Sequence, residues 1–249
     1  MKIYVDGYGI VAHSIIRKLI ENHEILSNNL LVNTYKLKEN SEFIEFLENN
    51  NIKYFQSAYS NSKVKYLVNE FSPDIIASIY GRRLIPNMIL NLARKGTFNL
   101  HPSLLPKYKG CFSCPWAIIN MEQTTGVTFH EMSSSIDSGS ILYQKKINID
   151  YQETGYSLWH KAASEFISRF DDFFQKYRND EHVIQNMPNG GTYYPRALPF
   201  NGVINTSWNE KKIDHFIRAL FFPPFRSAQL KLGNEFIEID TLERFLEVF

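Results

Sequence analysis

The sequence predicts an α/β fold, a mostly parallel sheet flanked by helices, with a small C-terminal α+β appendage ending in a β-hairpin. Three observations predict it. Short apolar runs alternate with stretches whose apolar residues recur every three or four positions, the pattern of strands joined by crossover helices. The first run breaks at a glycine turn, Asp6-Gly7-Tyr8-Gly9, that opens directly into a helical pattern. After Met187-Pro188-Asn189-Gly190-Gly191 the character changes to one short amphipathic stretch and two apolar runs flanking Gly233-Asn234.

Taken in order, residues 3–5 read as a strand and 10–20 as a helix, with Val11, Ile15, Ile16 and Leu19 on one face. Leu30, Leu31 and Val32 make a second strand. Ser41 precedes a helix carrying Phe43, Phe46 and Leu47. Residues 64–71 form another helix, stopped by Ser72-Pro73. A buried strand covers 74–79, a helix 84–92 has Pro86 in its first turn, and 96–101 is a strand. Strands follow at 126–132 and 141–149. The long helix 156–177 carries Phe166, Ile167, Phe170, Phe173, Phe174 and Tyr177 as a core stripe. A short helix with Ile213, Phe216, Ile217 and Leu220 comes next. Leu230, Leu232, Phe236, Ile237 and Ile239 then belong to the hairpin. The turn-rich stretch divides the chain into a main domain, 1–187, and a C-terminal region, 188–249.

Composition narrows the function. With 27 basic and 26 acidic side chains, the chain lacks the positive excess that nucleic-acid binding requires. No apolar run approaches the roughly 20 residues of a membrane span, and the N-terminus lacks a signal-peptide profile. A cytoplasmic protein is expected, with neither nucleic acid nor membrane as partner. The two cysteines, Cys111 and Cys114, have C-x-x-C spacing, but no second ligand pair accompanies them and no metal site is expected. The Gly7-Tyr8-Gly9 turn has Ala12 where a dinucleotide fingerprint has its third glycine. No acidic residue follows at Val32-Asn33-Thr34. A tight turn beside some other ligand is the better reading.

The stretch Phe98-Asn99-Leu100-His101-Pro102-Ser103-Leu104-Leu105-Pro106-Lys107-Tyr108-Lys109-Gly110 differs in kind. Residues two apart on a strand share a face, so Asn99 and His101 point the same way. Pro102 ends the ladder and turns the chain into a loop. An amide that steadies an oxyanion, beside an imidazole that moves a proton, suits acyl transfer. An isolated pair of this kind is more often structural. Ser135-Ile136-Asp137-Ser138-Gly139 adds a carboxylate able to orient the imidazole and raise its pKa, if the fold brings Asp137 to His101.

The run from Tyr80 to Gly139 resembles the formyltransferases that use 10-formyltetrahydrofolate. Their signature is Asn-x-His-(Pro/Gly)-Ser-Leu-Leu-Pro followed by a downstream Asp-x-Gly, matched here by Asp137-Ser138-Gly139. The resemblance covers about residues 1–180. It implies a Rossmann-like formyltransferase fold, with 1–187 as the catalytic domain. It also implies that Asn99 stabilises the oxyanion, that His101 is the general acid/base and that Asp137 tunes it. The co-substrate is 10-formyltetrahydrofolate, with no metal. Its pocket is implied at Arg83, Leu84 and Ile85 and at Ser133, Ser134, Ser135, Ile136 and Asp137, through backbone groups.

The acceptor is read from the remainder. Purine-pathway members carry a polar glycine loop after the first strand that Gly7-Tyr8-Gly9-Ile10-Val11 lacks. Methionyl-tRNA members carry a longer basic C-terminal domain. The segments 193–196, 202–208 and 217–225 resemble the C-terminal region of sugar-nucleotide N-formyltransferases of surface-polysaccharide synthesis. The expected acceptor is a dTDP-linked amino-dideoxyhexose, with dTDP-4-amino-4,6-dideoxyglucose as the leading example. A pyrophosphate needs cations and a base needs an aromatic face. Tyr8, Arg82, Ser103, Lys107, Arg196, Trp208, Phe222, Phe225 and Arg226 are the candidates, with Arg218 a further cation. Region 188–249 would then bind the sugar nucleotide, and its hairpin edge would pair two copies into a homodimer. A formyltetrahydrofolate hydrolase, a methionyl-tRNA formyltransferase and a non-catalytic folate or sugar-nucleotide sensor are the competing readings.

Overall fold

The computed structural model describes residues 1–249 throughout. The elements run β1 (Ile3–Gly7), α1 (Gly9–Glu21), β2 (Leu30–Asn33), α2 (Ser41–Asn49), β3 (Lys53–Phe55), α3 (Ser62–Phe71), β4 (Ile75–Ile79), α4 (Asn87–Leu90) and β5 (Gly96–His101). There follow β6 (Lys109–Gly110), α5 (Ser113–Ile119), β7 (Thr124–His130), β8 (Ile141–Asn148), α6 (Gly155–Arg178), β9 (Tyr193–Tyr194), α7 (Glu210–Leu220), β10 (Ala228–Leu232), β11 (Glu235–Ile239) and α8 (Leu242–Val248).

Seven strands form one sheet in the order β3-β2-β1-β4-β5-β7-β8. β1 pairs parallel with both β2 and β4, β2 with β3, and β4 with β5, while β7 runs antiparallel to β5. The sheet is the mostly parallel one the alternation predicts. β1, β2 and β4 are buried at every position, which is why they read as unbroken apolar runs rather than alternating ones. The chain winds outward from β1 to β3 and then restarts at β4 on the other side of β1. The switch point lies between β1 and β4, where open α/β sheets hold ligands at their carboxyl ends.

Helix α1 buries Val11, Ala12, Ile15, Ile16 and Leu19, the stripe its spacing predicts. Helix α3 is capped by Asn61, whose side chain accepts from Lys63 N–H, and ends at left-handed Ser72 before Pro73. On α6, Phe166, Phe170, Phe173, Phe174 and Tyr177 are buried, while Ile167 is half-buried. Phe129 of β7 meets Phe166 and Phe173 with ring centroids 5.2 and 4.2 Å apart. Each such buried ring contributes about 1.5–3 kcal/mol by removal from water alone.

Some elements differ from expectation. The helix read over 84–92 is a single turn, α4, because Pro86 is extended with ψ 149° at its start and Leu92 and Ala93 N–H bond three residues back, to Ile89 and Leu90 carbonyls, at its end. β7 ends at His130, two residues early, because Glu131 N–H turns away to Ser140 carbonyl. β3 is three residues long, too short to show a period. Helices α5 and α8 were not legible either.

The chain forms two compact units. The first is Met1–His101, Thr128–Tyr143 and Glu165–Met187; the second is Pro102–Val127, Gln144–Ser164 and Pro188–Phe249. The junction after Met187 coincides with the turn-rich stretch. The segments 102–127 and 144–164 also fall in the second unit, although no change of composition marks them. In that unit α7 is capped by Asn209 and buries Ile213, Phe216, Ile217 and Leu220. β10 and β11 pair antiparallel from Ala228↔Ile239 to Leu232↔Glu235, with Gly233 at φ +59° in the two-residue turn. No helix is long and apolar enough to cross a membrane.

Candidate active site

Asn99 and His101 sit at the carboxyl end of β5, one residue apart, with Leu100 between them facing the core. His101 is buried, and its Nδ1 lies 3.4 Å from Asp137 Oδ2. Asn99 Nδ2 lies 3.4 Å from Asp137 Oδ1. The fold therefore brings the three residues together, closing a gap of 38 positions between Asn99 and Asp137. Both side chains of the His101–Asp137 pair are at most 10% exposed, so their interaction is weakly screened.

The turn carrying Asp137 is pinned to the end of β7. Glu131 N–H donates to Ser140 carbonyl at 2.9 Å, and a Cβ on Gly139 would sit 2.1 Å from Glu131 carbonyl oxygen. Only glycine allows that approach, which gives the Asp-x-Gly spacing its physical reason. Asp137 itself is left-handed, with φ 46°.

A fourth side chain belongs to this cluster. His130 lies directly opposite Asn99 in the antiparallel register. Its Nδ1 is 2.7 Å from Glu131 carbonyl oxygen, which only accepts, so Nδ1 carries the proton. Nε2 is then an acceptor, 3.0 Å from Asn99 Nδ2. The imidazole thereby fixes which end of the Asn99 amide faces the carboxylate. His130 also places Nε2 3.4 Å from Asp137 Oδ1. Sequence reasoning missed it, since no motif marks it. The one available signal was the alternation of β7, which puts Thr128 and His130 on one face.

Among the folate-pocket candidates, Leu84 is 70% exposed and Ile85 is buried. The Arg83 guanidinium donates to Asn33 Oδ1 at 3.2 Å and Ser57 carbonyl at 2.8 Å, and lies 4.1 Å over the Tyr35 ring. Its charge is thus used inside the fold. Ser133, Ser134 and Ser135 are exposed and Ile136 is half-buried; Ser133 hydroxyl closes the turn onto Ser135 carbonyl at 3.1 Å.

The acceptor candidates fall in both units. In the first, the exposed Arg82 guanidinium lies 5.7 Å over the Tyr8 ring. In the second, Ser103 is fully buried and its hydroxyl donates to Lys107 carbonyl at 2.7 Å, so it shapes its own loop rather than facing a ligand. Lys107 pairs with Glu122 at 3.3 Å. Trp208 packs edge-on against Phe200 and Phe216, beneath Lys212 at 4.6 Å. Phe222 contacts Tyr156, Trp159 and Phe225, and Phe225 is 64% exposed. Arg196 and Arg226 are exposed. Arg218 is tied to Asp214 at 2.9 Å and Glu153 carbonyl at 2.7 Å. Cys114 is buried, which pushes its thiol up to about 12 and disfavours the thiolate that metal binding needs.

The chain as a whole resembles known proteins. Residues 17–166 match the Formyl transferase family. The GDP-perosamine N-formyltransferase of Brucella melitensis is 34% identical over 97% of this chain and 93% of its own. The N-formyltransferase of Helicobacter canadensis, solved with folinic acid and dTDP-3-aminofucose, superposes with a TM-score of 0.79 at 23% identity, covering 97% of this chain and 87% of that one. A 4-N formyltransferase of Francisella tularensis gives 0.76 at 19%, covering 96% and 97%. Below 25% identity these likenesses establish the fold. The sequence match establishes descent: the chain belongs to the formyl transferase family and is an N-formyltransferase.

Proposed function

We propose that this enzyme transfers the formyl group of 10-formyltetrahydrofolate to the amino group of a nucleotide-linked amino-dideoxyhexose. The observation that carries the chemistry is the convergence of Asn99, His101 and Asp137 on one strand end. The sugar amine attacks the formyl carbon, and a tetrahedral intermediate forms. Asn99 and protonated His101 stabilise its oxyanion. Collapse breaks the bond to the folate N10; the amine loses a proton and N10 gains one, with His101 and Asp137 as the relay. The folate is held by backbone at 83–85 and 133–137. The folinic acid seen in the Helicobacter canadensis enzyme supports that donor class.

For the acceptor, a 4-amino-4,6-dideoxyhexose is favoured. The Brucella relative acts on GDP-perosamine, which carries its amine at that carbon, as does dTDP-4-amino-4,6-dideoxyglucose. GDP-perosamine is the first acceptor to test, since the match to that relative runs through nearly the whole chain. Tyr8 and Arg82, at the end of β1 and after β4, are candidate acceptor contacts. Arg196, Trp208, Phe222, Phe225 and Arg226 are candidate acceptor contacts too. The product feeds surface-polysaccharide synthesis in the cytoplasm, and the enzyme works as a homodimer.

The test is an acceptor screen with 10-formyltetrahydrofolate and GDP-, dTDP- and UDP-linked amino sugars, read by mass spectrometry for a product heavier by one formyl group. Formate released without any amine defeats the transferase reading in favour of hydrolysis. His101→Asn and Asp137→Asn are each expected to lose about 10²–10⁴ in kcat. Retention of more than about a tenth of turnover by either variant removes that residue from the mechanism.

A further inference from the structure

Asp6, near the end of β1, has no exposed surface, yet no part of the formyl-transfer chemistry uses it. Its carboxylate accepts from two tyrosines: Tyr35 hydroxyl donates to Oδ1, and Tyr59 hydroxyl donates to Oδ2 at 2.8 Å. Tyr59 also meets the Tyr4 hydroxyl at 2.9 Å. The Tyr35 oxygen is doubly employed, since it accepts from Arg82 N–H at 2.6 Å. Gly81 packs straight onto the carboxylate; a Cβ there would lie 2.8 Å from Asp6 Oδ1 and 2.9 Å from Ser78 Oγ. The Arg83 guanidinium then closes over the Tyr35 ring at 4.1 Å and ties to Asn33 and Ser57.

A buried carboxylate is a costly way to fill the end of a strand. A neutral residue accepts two hydroxyl protons more cheaply. What an ionised carboxylate adds is direction: it can only accept, so both tyrosine hydroxyls must donate into it. The Tyr35 lone pairs are then left to receive a backbone N–H. Arg82 N–H is the group that receives this treatment, and it begins the segment leading to Leu84 and Ile85. Tyr59 touches the same carboxylate but no part of that segment in the bonds described.

We infer that Asp6 is a positioning residue that acts through Tyr35 to hold the backbone of residues 81–85 in the shape that binds the formyl donor. The inference rests on the donor reading above, and it assigns to the switch-point end of β1 a task in donor affinity rather than in catalysis. Removing the Tyr35 hydroxyl lets the 81–85 backbone wander. Removing the Tyr59 hydroxyl leaves that backbone tied.

The experiment compares Tyr35→Phe, Tyr59→Phe and Asp6→Asn with the wild-type enzyme. Affinity for 5-formyltetrahydrofolate, an unreactive analogue, is read by calorimetry, KM and kcat with 10-formyltetrahydrofolate by steady-state assay, and folding by thermal melt. Tyr35→Phe and Asp6→Asn are expected to raise the analogue Kd and the donor KM about tenfold, with kcat at saturating donor within about twofold; one lost hydrogen bond of this kind has that size. Tyr59→Phe is expected to leave both within about twofold while lowering the melting temperature. Equal effects of the two tyrosine variants overturn the inference, as does a fall in kcat with donor KM unchanged. Should Asp6→Asn not fold, the tyrosine pair alone decides. Wild-type protein that binds no 5-formyltetrahydrofolate overturns the donor reading itself, and the inference with it.

Discussion

Burial raises the Asp6 carboxyl from its ordinary 3.8 to about 6, against the lowering effect of the two tyrosine hydroxyls and Arg83. Because the folded value lies above the unfolded one, the folded state binds this proton more tightly. The group's contribution to stability is complete below about pH 3.8 and is lost as pH rises through about 6. Asp6→Asn removes that dependence. The unfolding free energy of wild type relative to Asp6→Asn, measured by urea titration, is therefore expected to improve as pH falls from 7 to 5. A difference constant over that window would show that Asp6 does not titrate there. At this scale the sequence was informative where a motif is local. Strand alternation puts Asn99 and His101 on one face, but it took the run through Pro102 and the family resemblance to mark them as a site. Asp137 needed the resemblance, since 38 positions separate it from Asn99. His130, Tyr35 and Tyr59 were invisible because their partners are set by register and loop path, which a single residue type does not announce.

Among the elements, the segment 131–139 binds β7 to the turn that bears the carboxylate. Gly139→Ala places a methyl group 2.1 Å from Glu131 carbonyl oxygen, so the turn must move away from the strand. Asp137 moves with it. The expected outcome is a loss of kcat of about tenfold or more, since small misplacements at a reacting centre are costly, with a melting temperature lowered by a few degrees. Kinetics alongside a thermal melt checks this, and unchanged kcat would show that the turn tolerates the shift. The bounds of α1 and α6 fall within a residue of those their periods predict, and α1 and α7 bury the stripe their spacing specifies, while on α6 all of the stripe but Ile167 is buried. α4 shrank to one turn because Pro86 is extended at its start and three-residue turns close its end. Propensity alone does not report such turns.

Over the whole molecule, the division of the chain is more interleaved than a single cut after residue 187. Segments 102–127 and 144–164 join 188–249 in one compact unit, so His101, the proposed acid/base, is the last residue of its segment. The hairpin of that unit leaves Leu232 38% and Phe236 52% exposed. A homodimer formed through this hairpin is expected by light scattering at micromolar concentration. Leu232→Lys with Phe236→Lys is expected to give a monomer that still melts cooperatively. A monomeric wild type, or a double variant that stays dimeric, would place the interface elsewhere or remove it.

The left-handed backbone of Asp137, φ 46°, governs how any replacement there should be interpreted. Asparagine tolerates this conformation about as well as aspartate, because its short side chain can bond locally. It also preserves the shape while removing the charge and replacing one acceptor oxygen with an amide donor. Alanine adds backbone strain of roughly 1 kcal/mol, and a β-branched residue adds more. A rate lost in Asp137→Asn therefore measures the missing charge together with the lost acceptor oxygen, with the backbone undisturbed. The extra loss on going from Asp137→Asn to Asp137→Val measures how far the turn has been displaced, so the pair separates electrostatics from conformation at a single position.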